Sequence, residues 1–128
     1  MSKIRHIAYR AADVETMANF FVDALGMKIT QRRKNRAIDL SDGEINITVL
    51  PLRGAGPNGE PENQGIDHIG FSVENDDEAG RRLEGAGAKK IATIELGSPA
   101  HYEAKYKGPE GIVVDIGKWI GTAPVRGS

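Results

Sequence analysis

The chain has 128 residues, of which 27 % are charged, with a formal net charge of −1 and no cysteine. That length supports one hydrophobic core rather than two independent ones, so any internal repeat has to share it. The near-zero charge leaves no electrostatic footprint for nucleic acid or an anionic membrane surface, and the lack of cysteine rules out disulfides and thiolate chemistry. With no apolar run of membrane-spanning length and no basic-then-apolar leader, the expectation is a soluble cytoplasmic protein.

In chain order, "IRHIAYRA" at residues 4–11 alternates as a half-buried strand. From Asp13 to Leu25, Val14, Met17, Ala18, Phe21 and Leu25 fall at helical spacing, with Asp13 placed to cap the first turn and Gly26 to end the helix. "MKITQRRK" reads as extended, and "RAIDL" and "EINITVL" as strands joined by a turn at "SDG". Residues 52–65, rich in glycine and proline without apolar periodicity, read as a linker or loop. The plan then recurs. Strand "IDHIGFSV" leads into helix "DDEAGRRLEGAGA", with Ala79, Leu83 and Ala86 on one face, and then into strands "KKIATIEL", "YEAKYKG" and, past a "PEG" turn, "IVVDIGKW".

Aligning the halves supports a repeat. His6 and His68 are 62 residues apart, as are Asp13 and Asn75, and Ile29 and Ile91; Gly26 and Gly87 are 61 apart, and Gly43 and Gly111 are 68 apart. The predicted fold class is α+β: two βαβββ modules, residues 3–51 and 66–119, related by a pseudo-twofold axis, their sheets curved into one trough with the helices outside. Residues 52–65 join them, and 120–128 form a flexible tail.

Strand alternation puts His68, Gly70 and Ser72 on the face opposite Ile69, Phe71 and Val73, and Asp115 opposite Ile112, Val114 and Ile116. His6 likewise faces away from Ile7 and Tyr9. A lone strand histidine or aspartate is usually structural, but these three occupy related positions on the face away from the helices. Two imidazoles and a carboxylate suit a divalent cation with open positions, as in a non-haem iron site or a zinc, manganese, nickel or cobalt site. Such an ion acts as a Lewis acid with room for substrate or water.

The repeat, the strands "RHIAYRA" and "DHIGFSV", and above all "GPEGIVVDI" resemble the vicinal oxygen chelate superfamily, which includes glyoxalase I, methylmalonyl-CoA epimerase, bleomycin-resistance proteins and extradiol dioxygenases. The resemblance spans nearly all of residues 3–119. It implies metal ligands at His6, His68 and Asp115 and a fourth position within "EINITVL". Counting from Gly43 gives Ile47 there, whereas the pleat puts Asn46 and Thr48 on the site face and Ile45, Ile47 and Val49 in the core. Neither offers a carboxylate, which counts against glyoxalase I itself and leaves a three-ligand set most like the dioxygenases. The slot of the tyrosine that lies just beyond their metal ligands, on the strand before the turn, falls at Lys105, one residue before Tyr106, and the usual last-strand glutamate is Asp115.

Further candidates are His101 and Tyr106 for catalysis and Asn46, Thr48 and Tyr102 for substrate binding. Alternation sets His101, Glu103 and Lys105 against Tyr102 and Tyr106 without deciding which set faces the trough. The run "QRRKNR" reads as a solvated strand and turn. The resulting expectation is a metal-dependent dioxygenase, isomerase or lyase using Fe, Mn, Zn, Ni or Co on a small substrate, with a metal-free ligand-binding protein of the bleomycin-resistance type as the alternative. The resemblance also implies a homodimer.

Overall fold

The computed structural model of the protein describes residues 2–55, 57–59, 64–95, 102–117, 119–120 and 123–124. Strands and helices follow in the order β1 (Lys3–Ala11), α1 (Val14–Leu25), β2 (Lys28–Arg32), β3 (Ile38–Ser41), β4 (Asn46–Pro51), β5 (Gly65–Ser72), α2 (Asp76–Gly85), β6 (Lys89–Glu95), β7 (Tyr102–Lys107) and β8 (Val113–Gly117). This is an α+β chain in which βαβββ occurs twice. A short ladder pairs β9 (Trp119–Ile120) with β10 (Ala123–Pro124), running from the end of the second module into the segment expected to be a tail, and the rest of that tail lies outside the described residues. Two compact units divide the chain, one of residues 7–67 and the other of residues 1–6 with 68–128. The cut passes through β1 just after His6, so that histidine belongs with the second unit and not with the module in which it stands in sequence.

In the unit of residues 7–67, β2, β3 and β4 pair antiparallel, and β1 follows β4 in the strand order. In the other unit β5 runs parallel to β8, β8 antiparallel to β7, and β7 antiparallel to β6. Each unit thus orders its strands first, fourth, third, second. The repeat extends to small features. A bulge lies between Ile29 and Gln31 in β2, and another between Lys90 and Ala92 in β6. Asp13 accepts a hydrogen bond from the Thr16 backbone N–H at 3.0 Å, and Asn75 accepts one from the Glu78 N–H at 2.9 Å, so both helices start on a side-chain cap.

Each helix buries an apolar stripe against its own strands. Ala11, Ala18, Met27, Ile38, Leu40 and Val49 form the core of the first unit, with Tyr9, Val14, Met17, Phe21, Val22, Ile29 and Ile47 packed around it. Leu25, assigned to this stripe from its spacing, is instead 64 % exposed because the helix ends there at Gly26. Ala104, Tyr106 and Ile116 form a second core, with Phe71, Val73, Ala79, Leu83, Ala88 and Val114 against it, so each unit packs a core of its own under its helix where the length alone suggested a single shared one. Helix α2 ends at Gly85, so Ala86 is its C-cap and lies exposed, and Ala88 takes the packing place. Among the described residues no helix is long and apolar enough to cross a membrane.

Candidate metal centre

The second unit builds its polar site from three strands. On β8 the core takes Val114 and Ile116, which turns Asp115 to the opposite face, where it is 2 % exposed. On β5 Phe71 packs into the core and the alternate positions His68 and Gly70 point the other way. Gly70 lies beside Asp115 in the parallel register, and its missing side chain leaves room for His6. A Cβ added at Gly70 would stand 2.9 Å from His6 Cβ and 3.2 Å from its Cδ2. The His6 ring therefore rests over bare backbone, with His68 two residues along β5.

His6 Nε2 and His68 Nε2 are 3.2 Å apart. His68 Nε2 is likewise 3.2 Å from Asp115 Oδ2. One donor atom from each of the three residues lies within 4.8 Å of the others. Neighbouring donors held about 2.1 Å from one ion are themselves about 3.0–3.4 Å apart, so two edges of this triangle already have the spacing of a coordination shell. Asp115 Oδ2 is buried and, although at ion-pair distance from His68, has no hydrogen bond. A buried carboxylate oxygen without a donor is costly, and a cation bound there would relieve that cost. The donor set, the spacing, the orphan oxygen and the Gly70 cradle together fit a divalent metal ion.

Lys105 completes the cluster from β7, where it stands directly across from Asp115 in the antiparallel register. Its Nζ donates to Asp115 Oδ1 at 2.8 Å, and its side chain is 17 % exposed. With Oδ1 engaged by the ammonium, Oδ2 is the oxygen left for an ion.

The other sequence candidates fall elsewhere. Tyr106, offered as catalytic, sits in the core on the helix side of β7, facing away from Lys105. A Cβ added at Gly80 of α2 would come within 2.5 Å of its hydroxyl oxygen, so Tyr106 is a packing residue held under the helix. Burial, followed by the charges of Glu84, Asp76 and Asp77, pushes its phenol up from the usual range. His101 lies outside the described residues, and the Tyr102 side chain is likewise not described. A cavity lined by Phe71, Leu83, Val114 and Ile116 opens beneath α2, on the sheet face opposite Asp115.

Asn46 and Thr48 point away from Ile47 and Val49, as the pleat requires, and both are buried in a second polar cluster within residues 7–67. The Thr48 hydroxyl donates to Asp39 Oδ1 at 2.5 Å and lies 3.1 Å from Asn46 Oδ1. Arg33 grips the same carboxylate with both arms, from Nε to Oδ2 and from Nη2 to Oδ1, each at 2.8 Å. The basic run at residues 31–36 is therefore not simply solvated. Arg32 pairs with Glu15 at the surface, and Arg33 is committed to Asp39.

Solved structures share this fold across the chain. A hypothetical protein from Bacillus halodurans matches with a TM-score of 0.70 and 18 % identity, covering 95 % of this chain and 97 % of its own. The 2,3-dioxygenase LapB from Pseudomonas sp. KL28 matches at 0.69 and 16 %, over 97 % of this chain and 42 % of its own. A Mn(II)-bound glyoxalase from Novosphingobium aromaticivorans matches at 0.68 and 20 %, over 97 % and 39 %. This chain thus spans about two fifths of those two proteins. Compared with curated protein sequences, it has no significant match. A family model covers residues 3–116, a span that takes in both βαβββ repeats together with His6, His68 and Asp115, and by that match the chain belongs to the Glyoxalase/Bleomycin resistance protein/Dioxygenase superfamily.

Proposed function

We propose that the protein is a metal-dependent enzyme of the vicinal oxygen chelate type, with His6, His68 and Asp115 holding one divalent cation. The observation that carries this reading is the buried Asp115 Oδ2, without a hydrogen bond and 3.2 Å from a histidine nitrogen that is itself 3.2 Å from a second. When bound, such an ion supplies Lewis acidity to two neighbouring oxygens of a small substrate. His6 and His68 contribute neutral nitrogen donors through Nε2, and Asp115 a single anionic oxygen. Lys105 fixes the carboxylate by its other oxygen. The Mn(II)-bound glyoxalase among the structural neighbours supports a divalent ion in this fold.

Metal analysis of the purified protein, without added metal, is expected to give close to one equivalent of Fe, Mn, Ni, Zn or Co. His68→Ala should lose it while keeping the wild-type circular dichroism. Full stoichiometry in that variant would overturn the assignment. The Lys105–Asp115 pair favours a second reading, a metal-free small-ligand binding protein, because the ammonium already neutralises the carboxylate. Wild-type protein that binds none of these ions would favour it.

A further inference from the structure

We infer that the site takes a small anionic chelator, a 2-oxo or 2-hydroxy carboxylate, and that Lys105 is the residue that selects it. This rests on the proposed metal reading and names its substrate class.

The charge balance of the cluster is the first support. One carboxylate and one ammonium cancel, and the two neutral imidazoles add nothing, so a bound divalent ion would keep its full double charge. Without Lys105, Asp115 would halve it. In a site where Asp115 is 2 % exposed and His6 is 3 % exposed, an uncompensated double charge is expensive, and an anionic ligand relieves it where an uncharged one does not.

Donor geometry is the second support. An ammonium has three N–H donors. One is on Asp115 Oδ1, and among the described residues no other hydrogen bond or ion pair engages Lys105. A partly exposed side chain with donors to spare, fixed to the carboxylate that would hold the ion, can bond a substrate carboxylate whose other oxygen reaches that ion.

The third support is the approach. Lys107 lies on the same face of β7 as Lys105, and Lys89 stands directly across from it on β6. Like charges placed opposite each other on neighbouring strands repel. Both lysines are exposed, and among the described residues neither has an anionic partner. Among the described residues this like-charge pair has no compensating contact, and it would draw a small anion along the strand toward Lys105.

Calorimetry on the full chain tests this in two stages. Mn2+ alone is titrated into wild type, Lys105→Met, Lys105→Arg and the double variant Lys89→Met/Lys107→Met. Pyruvate and its uncharged amide, pyruvamide, are then titrated into each Mn2+-loaded protein. Wild type is expected to prefer pyruvate, and Lys105→Met to bind Mn2+ at least as tightly as wild type while losing about fivefold or more in pyruvate affinity. Lys105→Arg should keep most of that affinity, and the double variant should weaken its dependence on salt. Undiminished pyruvate binding in Mn2+-loaded Lys105→Met, or a wild-type preference for pyruvamide, would overturn this inference alone. Failure of wild type to bind Mn2+, and to bind Fe2+, Ni2+, Zn2+ or Co2+ titrated in its place, would overturn the metal reading and this one with it. Should Lys105→Met not fold, the wild-type preference between the two probes decides.

Discussion

The two units each place a carboxylate in the corresponding cross-strand pair of their sheets, on opposite strands of that pair, and treat it in opposite ways. In residues 7–67 the cross-strand pair is Asp39 on β3 and Thr48 on β4; in the other unit it is Lys105 on β7 and Asp115 on β8. Asp39 has both oxygens engaged by the Arg33 fork and one of them also by Thr48. Asp115 receives one ammonium on Oδ1 and keeps Oδ2 without a hydrogen bond, beside two histidine nitrogens. A saturated carboxylate is a structural element. A half-saturated one with nitrogen donors around it keeps an oxygen available to a cation. One βαβββ plan therefore yields a closed polar cluster or an open one according to where the acid sits and which cation reaches it.

Arg33→Met breaks the closed cluster and should have the largest effect. It strips the buried Asp39 of its two guanidinium bonds, at a cost of about 3 kcal/mol in unfolding free energy by urea titration. Mn2+ should stabilise that variant only as much as it stabilises wild type, through the intact metal centre, so the deficit against wild type should remain. Lys105→Met also removes a buried carboxylate's cation, but there added Mn2+ should close most of the deficit against wild type, because the ion takes the place of the lost ammonium on the carboxylate itself. Equal rescue of both variants, or of neither, would erase the distinction between a closed and an open cluster.

Gly70→Ala sharpens the open side. Its Cβ would press on His6 Cβ, which cannot swing aside as a side-chain tip can, so the imidazole must shift. Displacing one donor of the set is expected to weaken Mn2+ binding by about tenfold, in the range seen when the supports of metal ligands are lost. Mn2+ affinity within twofold of wild type would mean that the Gly70–His6 contact does not hold the imidazole in place.

Parity and repetition account for what was legible in the sequence. Apolar residues at alternate positions of β5 and β8 turned His68 and Asp115 to one face, and the spacing of the two halves paired His6 with His68. The pleat also chose correctly over simple counting at β4, where Asn46 and Thr48 are the polar buried pair and Ile47 and Val49 belong to the core. Register was not legible. That Lys105 faces Asp115 depends on the pairing of β7 with β8, which the Gly108–Ile112 turn sets, and no periodicity along one strand encodes its neighbour. Nor does a basic run disclose that one of its arginines folds inward. Asp39 alternating with Ile38 and Leu40 in a fully buried strand was the available signal that an acid there needs a cation.

The smallest effect concerns how each unit starts its helix and turns its hairpin. Asp13 and Asn75 cap α1 and α2 at equivalent positions, but only Asp13 titrates. The β3–β4 turn is held by the Asp42 carboxylate, which accepts from the backbone N–H groups of Glu44 and Ile45 at 2.8 and 2.7 Å. Its counterpart between β7 and β8 closes on backbone bonds, Gly108 N–H to Ile112 and Gly111 N–H to Gly108. The Thr16 N–H holds the Asp13 carboxyl below its ordinary value, and the N–H groups of Ile45 and Glu44 do the same for Asp42. A lowered native-state value means that the stabilising contribution is complete above the unfolded value, near 3.8, and is lost as pH falls through the native one. Acid should therefore loosen residues 7–67 before the other unit as far as these contacts decide it. Both groups are solvent-exposed, so the effect is small and screened by salt. In Asp13→Asn/Asp42→Asn the amide oxygens can still accept these bonds but no longer titrate, so the fall in melting temperature between pH 5 and pH 3 should be shallower than in wild type. An unchanged slope would show that the acid response arises elsewhere, and that the two units differ in their buried clusters but not in their exposed caps.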